Sequence, residues 1–458
     1  MNLLLGTGQS VTLGPALAKA GEGTIYDVVG RPDWAAKVFH PNLPNLYHKL
    51  AKVAAMTRAS PEGAIQPNGF AVLTWPISTL SDGPSLVGYV MPKIATATSV
   101  EIHALSNPSN RRDPPPNAPQ WVKHATWGHL VNVAANLCLA VEVVHWVGAV
   151  IGDFQERNIL VSDTTEVTLV DCDSMQFTDP AGQQYLCTVG RPEFTAPELT
   201  GIDLHTQPRS QASDLFALAI HIHQLLMGGN HPFLRGEWTG PGEQPAALAL
   251  ARNGDWAGGP SSQLRTHPMA PPVTFLPGEI QQLFYRAFTA GAVDPSQRPT
   301  AGQWRDALQR ITVTTCPAGH HQIPVSCAAC PWCAIDEARQ ARRGEGPGYR
   351  TAPHPAATPA STGPISQAGA RGSSPKIAGM STRTLTVVLI VLGVLAIALS
   401  AFIAWAVMTG RSTTFGAPAA NQVSVSSPRL SAASRCQWDE TLRCSEALLS
   451  ADWPSPSI

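Results

Sequence analysis

The sequence predicts an α+β fold of two unlike lobes followed by a membrane segment, on three observations. Short β-branched or aromatic runs (SVTL, TIYDVV, AAKVF, GFAVLTW, SLVGYVM) dominate before Lys93, and helical patterns dominate after Trp121. A strand-rich part followed by a helix-rich part makes two lobes of different class. Third, residues 384–408 run for 25 residues without a charge, more than the roughly 20 that a helix needs to cross a hydrocarbon core.

Each element follows from its pattern. From Trp127 to Trp146, Leu130, Val133, Leu137, Val141 and Val144 recur at three- and four-residue steps, the signature of a helix with one buried face. The Pro-rich stretch between Asn107 and Pro119 reads as loop. The charge-free segment lacks the polar stripe of a soluble helix, and Trp405 near one end suits an interfacial anchor. Arg371, Lys376 and Arg383 precede it while Arg411 alone follows closely, so the basic-residue bias places residues 1–383 in the cytoplasm and 409–458 outside. The opening MNLLLGTGQS has too short an apolar run and no basic flank for a secretory leader. Residues 337–383, rich in Pro, Gly, Ser and Ala, read as a disordered tether. Cys436 and Cys444 fall in the exterior tail, where an oxidising environment would let them pair.

Composition narrows the function. The 458 residues allow two or three folded units, only 14% are charged, and the net charge is -1. That balance offers no basic footprint for nucleic acid, whose binding relies on displacing counterions from many phosphates, so no nucleic-acid partner is expected.

The most informative segment is Ile151-Gly-Asp153-Phe-Gln155-Glu-Arg157-Asn158-Ile-Leu-Val161, followed by VTLVDCD with Asp171 and Asp173. It resembles the catalytic loop and metal-binding turn of the eukaryotic-type (Hanks-type) protein kinases, HRDLxxxxN and DFG. The resemblance implies Asp153 as catalytic base, Asn158 and Asp171 as Mg²⁺ ligands, and ATP as cofactor. Two fragments of this kind taken singly are ordinary polar turns; their order together with the motifs downstream makes the match. Thr188 to Glu198 ends in an APE triplet, Asp214 opens the next helical pattern, HPF stands at 231–233, and Arg298-Pro-Thr comes later. By resemblance, Glu198 pairs with Arg298 and Asp214 caps the catalytic-loop backbone. Upstream, Gly21 and Gly23 look like the phosphate-covering loop, Lys37 in AAKV like the strand lysine that meets the phosphates, and Met91-Pro92-Lys93 like the adenine hinge.

The resemblance spans about residues 10–312 and implies a bilobal protein kinase-like fold. It also has departures. Ala18 and Ala20 replace two family glycines; no carboxylate stands where the small-lobe helix should pair with Lys37, leaving His48 nearest and Glu62 in a loop; the histidine before Asp153 is lost; Gln155 replaces a lysine, Arg191 a threonine, and Asp173 the glycine of DFG. Arg191 would supply positive charge in compensation.

After this region, residues 313–336 carry Cys316, His320, His321, Cys327, Cys330 and Cys333. Thiolates and imidazoles at this spacing read as a small zinc ribbon or knuckle. The ligands expected are Cys316, His320, Cys330 and Cys333, with His321 and Cys327 as substitutes. A redox CxxC is the alternative, disfavoured because no βαβ pattern surrounds it. Cys138 and Cys172 read as small buried hydrophobes, and His221 and His223 as helix residues outside any metal site.

A kinase-like domain with a CPWC-type zinc module also resembles the kinases grouped with a phosphatase and a von Willebrand-type protein in bacterial tellurium-resistance-associated gene clusters. The layout as a whole is similar to single-pass bacterial membrane Ser/Thr kinases. The resemblance implies ATP, Mg²⁺ and Zn²⁺ as cofactors. Protein substrates, a phosphatase, a von Willebrand-type protein and a second copy of the chain are the partners it suggests, with transfer of the ATP γ-phosphoryl group as activity. The alternative is a membrane-tethered pseudokinase that binds nucleotide or partners without transfer.

Overall fold

A computed structural model describes residues 1–344. The expected tether beyond residue 344, the membrane segment 384–408 and the tail with Cys436 and Cys444 lie outside the described residues. The first lobe is built from β1 (Asn2–Leu5), β2 (Ser10–Lys19), β3 (Gly23–Val28), β4 (Trp34–Phe39), helix α1 (Leu46–Met56), β5 (Ser78–Asp82) and β6 (Ser85–Pro92). The strands close into a barrel in the order β1-β2-β3-β4-β6-β5.

Alternation along each strand sorts its side chains. Leu3, Leu5, Val11, Leu13, Val28, Ala36, Leu80 and Val90 fill one cluster, while Ala35, Phe39, Tyr89 and Met91 face the other way and pack on Val53 of α1. Lys37 stands between Ala35 and Phe39 on that second side, opposite Tyr89 in the register of β4 and β6. The period of two therefore aims Lys37 away from the barrel core.

The structure corrects three sequence boundaries. The barrel includes Asn2–Leu5, which pairs with both β2 and β5, so the lobe begins ahead of residue 10. GFAVLTW is not a strand: it makes only isolated bridges, Ile65 to Ala71 and Leu73 to Leu169, as Val72, Leu73 and Trp75 sink into the larger core. The segment from residue 337 is helical as far as Gly344 rather than tether.

The second lobe runs through β7 (Val100–Glu101), α2 (Ile102–Ser106), α3 (Pro108–Arg112), α4 (Trp127–Trp146), β8 (Ile159–Val161), β9 (Val167–Leu169), β10 (Phe177–Thr178) and β11 (Gln184–Tyr185). It continues with α5 (Gln211–Leu226), β12 (Glu237–Trp238), α6 (Ala247–Asn253), β13 (Leu264–Arg265), α7 (Gly278–Tyr285), α8 (Gly291–Val293) and α9 (Ala301–Gln309). Thr126 and His129 form a capping box at the start of α4, and Thr300 and Gln303 another at α9, each satisfying otherwise orphaned amides. Leu130, Val133, Leu137, Val141 and Val144 are all buried in the lobe core. Among the described residues α4 is the one helix long and apolar enough to cross a membrane, and its burial makes it the core of this lobe.

A hairpin of β14 (Val313–Thr315) and β15 (Gln322–Pro324), then α10 (Pro331–Gly344), completes the described chain. This piece shares the lobe's core: Cys316 and Ile323 are buried in it, Trp332 meets Phe275 edge-on at 5.8 Å, and Gln322 Oε1 accepts from the Gly128 amide at 3.0 Å.

Candidate functional site: a cleft between the lobes

Between barrel and helical lobe lies a cavity of about 640 Å³ lined by Lys37, Gly21, Gln155, Asn158, Asp171 and Arg191 together with apolar Leu17, Ile25, Ala35, Met91, Leu160 and Val170. Its apolar walls suit a flat heterocycle and its polar end suits charge. The hinge offers few amides, since Pro92 has none and the Lys93 amide donates to Asp33 O at 2.8 Å.

The loop expected to be catalytic joins α4 to β8 and is held from behind. Asp214 of α5, almost fully buried, accepts from the Ile151 and Gly152 amides at 2.7 and 3.0 Å, with His145 Nε2 at 3.0 Å on the same carboxylate. Gly152 has φ +71, and an added Cβ would come within 2.7 Å of Cys187 Sγ, so both conformation and space demand glycine there. Asn158 Nδ2 donates to Asp153 O at 2.9 Å and to Asp153 Oδ2 at 3.2 Å, which leaves the Asn158 carbonyl oxygen for a cation. Gln155 Nε2 donates to the same Asp153 oxygen at 2.6 Å, and its own Oε1 is buried without a partner. Among the described residues Asp153 Oδ1 receives no donor, so it remains able to accept from a hydroxyl.

Asp171 follows β9 with φ +58, a left-handed conformation that Asp tolerates better than most residues and that clusters at functional sites. Its Oδ1 lies 2.9 Å from Lys37 Nζ. Lys37 Nζ also meets both oxygens of Asp173 at 2.8 Å, and the Tyr89 hydroxyl donates to Asp173 Oδ1 at 2.6 Å. Burial pushes the Asp171 carboxyl above its ordinary value, as does the neighbouring Asp173 charge, against the pull of Lys37. Burial also opposes ionisation of Asp173, but Lys37, Tyr89 and Lys52 together hold it below the usual carboxylate range. Lys37 is itself disfavoured by burial, yet the charges of Asp173 and Asp171 raise it.

His48 does not serve Lys37: its ring packs on Tyr185 with centroids 5.0 Å apart. The side chain that α1 buries instead is Lys52, 4% exposed, whose amine burial depresses to about 8. Gly21 lines the cleft; Gly23 does not, and its missing side chain is explained by the Val38 carbonyl, with which a Cβ would collide. Between them Glu22 pairs with Lys49 of α1 at 2.6 Å. The substituted positions Ala18, Ala20, Gln155 and Arg191 all line the cleft, as does Arg157.

The rest of the lobe is locked as the motifs imply. Arg298, 2% exposed, grips Glu198 through two bonds of 2.7 Å and also donates to Ala212 O and Gly291 O. Cys138 and Cys172 are fully buried, and so, nearly, are His221 and His223, which bond the Phe154 and Asn230 carbonyls at 3.0 and 2.8 Å. Sequence reasoning missed Arg209. Its guanidinium donates to Gly152 O at 2.8 Å, Cys187 O at 3.3 Å and Val189 O, tying the segment before APE to the catalytic loop.

A second cluster sits in the C-terminal piece. Donor atoms of Cys316, His321, Cys330 and Cys333 all lie within 4.8 Å of one another. Of the two adjacent histidines it is His321 that groups with the three thiols, while the expected His320 has its Nδ1 3.8 Å from Cys333 Sγ alone; the Cys316 amide donates to His321 O at 2.8 Å, and Cys327 turns to Ala329 O. Cys316 Sγ and Cys333 Sγ are 3.9 Å apart, and His321 Nδ1 is 3.5 and 3.7 Å from Cys333 and Cys330 Sγ. A Zn²⁺ with ~2.3 Å thiolate bonds needs tetrahedron edges of about 3.8 Å, so the donors fit. Asp336 Oδ2, 3.3 Å from His321 Nε2, fixes the imidazole for ligation through Nδ1. Bonds to Cys316 Sγ, foremost from the His321 amide, lower that thiol to about 6, favouring the ligating thiolate.

Comparison with known proteins adds sequence relatives to these features. Residues 121–306 match the protein kinase domain. The chain is 32% identical over 347 residues to the protein kinase YegI of Escherichia coli O157:H7, covering 73% of this chain and 50% of that one. The K12 protein kinase YegI matches at 32% over 344 residues, 72% and 49% of the two chains. The chain thus spans about half the length of the curated relatives it matches. Residues 121–306, the helical side of the cleft, are thus similar to the protein kinase domain, and the chain as a whole is similar to the two YegI kinases.

Proposed function

We propose that this chain is a Hanks-type protein kinase of bacterial kind that transfers the γ-phosphoryl group of ATP to Ser or Thr of protein substrates, itself included. The observation that carries the proposal is the convergence of Lys37, Asn158 and Asp171 on one cleft, with Asp153 bonded directly behind Asn158 and Gln155 of its lining. Their donor set fits the cofactors: the Asp171 carboxylate and the Asn158 carbonyl oxygen are hard ligands suited to Mg²⁺, and Lys37 suits the α- and β-phosphates. Bound Mg²⁺ supplies neutralisation of charge on the phosphates. Asp153 orients the acceptor hydroxyl and takes its proton at Oδ1, since Oδ2 is already occupied by Gln155 and Asn158. Arg191 provides the cation that Gln155 no longer offers.

The uncharged segment 384–408 and the basic residues before it support a membrane-anchored kinase with its catalytic domain inside. Cys316, His321, Cys330 and Cys333 hold a structural Zn²⁺, four protein ligands leaving no open position for water. Native mass spectrometry of the full chain should show one zinc per chain, lost in Cys330→Ser; retention by that variant would remove Cys330 from the ligand set.

Transfer is tested by incubating the full chain with γ-labelled ATP, Mg²⁺ and a generic protein substrate, with phosphoamino-acid analysis of the product. Label on Ser or Thr is the expected result, and label confined to Tyr would overturn the substrate class.

A further inference from the structure

We infer that Asp173 is the positioning residue that fixes Lys37 for the nucleotide phosphates, a task that falls to the turn after β9 and not to an acid on α1. The inference rests on the kinase reading above and adds to it a residue that no motif assigns.

Three observations converge. No carboxylate occurs anywhere in α1, LYHKLAKVAAM, and the charged residue it buries is a lysine. Asp173 stands two residues after the metal-binding aspartate, and both its oxygens lie 2.8 Å from Lys37 Nζ, a pairing that Tyr89, the neighbour of Lys37 across β4 and β6, completes at 2.6 Å. The side chains of the two aspartates differ in exposure, 2% for Asp173 against 39% for Asp171.

That difference divides the labour. A carboxylate sealed behind Lys37 is closed to a hydrated metal, which cannot reach it without displacing the lysine and the phenol. Asp171 faces the cleft and is free to exchange Lys37 for Mg²⁺ while Asp173 keeps the ammonium in place. The turn itself is rigid: the Ser174 amide and hydroxyl donate to Asp171 O at 2.9 and 2.8 Å, and the Met175 amide donates to Cys172 O at 3.1 Å. The direct partners that set the lysine geometry therefore come from the turn after β9 and from the barrel strands.

The test compares full-length wild type, Asp173→Asn, Asp173→Glu and the double variant Asp173→Asn with Lys52→Glu. Phosphoryl transfer, the KM for ATP, the affinity for a fluorescent adenosine diphosphate analogue with Mg²⁺, and thermal unfolding are measured on each. A supporting carboxylate removed at constant shape should lower kcat/KM by about 10- to 100-fold, with nucleotide affinity falling in parallel and the Mg²⁺ requirement unchanged. Asp173→Glu should recover part of the loss, and so should the double variant, which returns an acid from α1; restoration by charge is something a purely structural residue would not show. Transfer by Asp173→Asn within twofold of wild type overturns the inference. So does a loss that tracks thermal stability alone and is recovered by neither acid. If wild type binds nucleotide but transfers nothing, the transferase reading fails while weaker binding by Asp173→Asn still upholds the inference. A wild-type chain that does neither ends both.

Discussion

On the helical side of the cleft, Asp214 holds the Ile151 and Gly152 amides, Asn158 reaches back to Asp153, and Arg298 grips Glu198. Each of these occupies the position the kinase motifs assign to it. On the barrel side, the loop keeps Gly21 but ties Glu22 to Lys49, α1 buries a lysine, and Lys37 takes its partner from the turn after β9. The first region preserves residues and roles together. The second preserves a requirement, an anion against Lys37, while changing the residue that meets it. A buried ammonium must be paired whatever element supplies the charge, so the physics constrains the pairing more tightly than the position.

The contrast can be broken most forcefully at Asp171. Asp171→Asn should reduce transfer by roughly 10²- to 10³-fold and raise the Mg²⁺ concentration needed for half-maximal rate, a shift that Asp173→Asn should not share. Equal Mg²⁺ dependence in the two variants would erase the division between them. On the helical side, Glu198→Gln leaves the Arg298 cation buried and half-paired; the cost should be about 3 kcal/mol, read from urea unfolding of the full chain, and a change well below 1 kcal/mol would show that the Ala212 and Gly291 carbonyls suffice.

Lys52 sharpens the other side through pH. The unfolded chain keeps a proton on Lys52 up to about 10.5, whereas the folded protein releases it near 8, so unfolding takes up a proton in that window and stability rises with pH across it. Lys52→Met should accordingly stabilise the protein by about 2 kcal/mol at pH 7, with the gap to wild type closing as pH climbs from 8 toward 10.5. A gap that stayed constant would mean Lys52 is not held against its burial. The smallest effect is expected at Arg209. A lysine cannot span three carbonyls as the guanidinium does, so Arg209→Lys should cost about 1 kcal/mol and speed proteolysis between Cys187 and Arg191.

How far the sequence revealed this arrangement depended on whether a signal was local. The spacing of Asp153, Asn158 and Asp171 within one stretch was legible because the loop's geometry is short-range, and the strands at SVTL, TIYDVV, AAKVF and SLVGYVM were legible from their composition. Asn2–Leu5 was hidden because a short apolar opening is weighed first as a leader, and its strand character depends on partners at residues 10–12 and 80–81. GFAVLTW misled in the opposite sense, since its apolar run reflects burial in the larger core and not a ladder. His320 and His321 are adjacent, so spacing could not separate them; only the folded positions of their rings relative to the three thiols do. Asp173 was noticed only as a missing glycine. Its meaning required Lys37, Tyr89 and Lys52, residues 84 to 136 positions away, to be seen around it. The usable signal was a pair of coincident oddities, an acid missing from α1 and an acid gained after Asp171.

The central claim is that this cleft, with its relocated ion pair, performs phosphoryl transfer. Intact-mass spectrometry of the full chain after incubation with Mg²⁺ and ATP, beside Asp153→Asn, tests it most directly. The account predicts additions of ~80 Da per phosphoryl group in the native chain and none in the variant. Additions of equal extent in both would contradict it, because the phosphate would then have arrived without the base that the cleft is built to present.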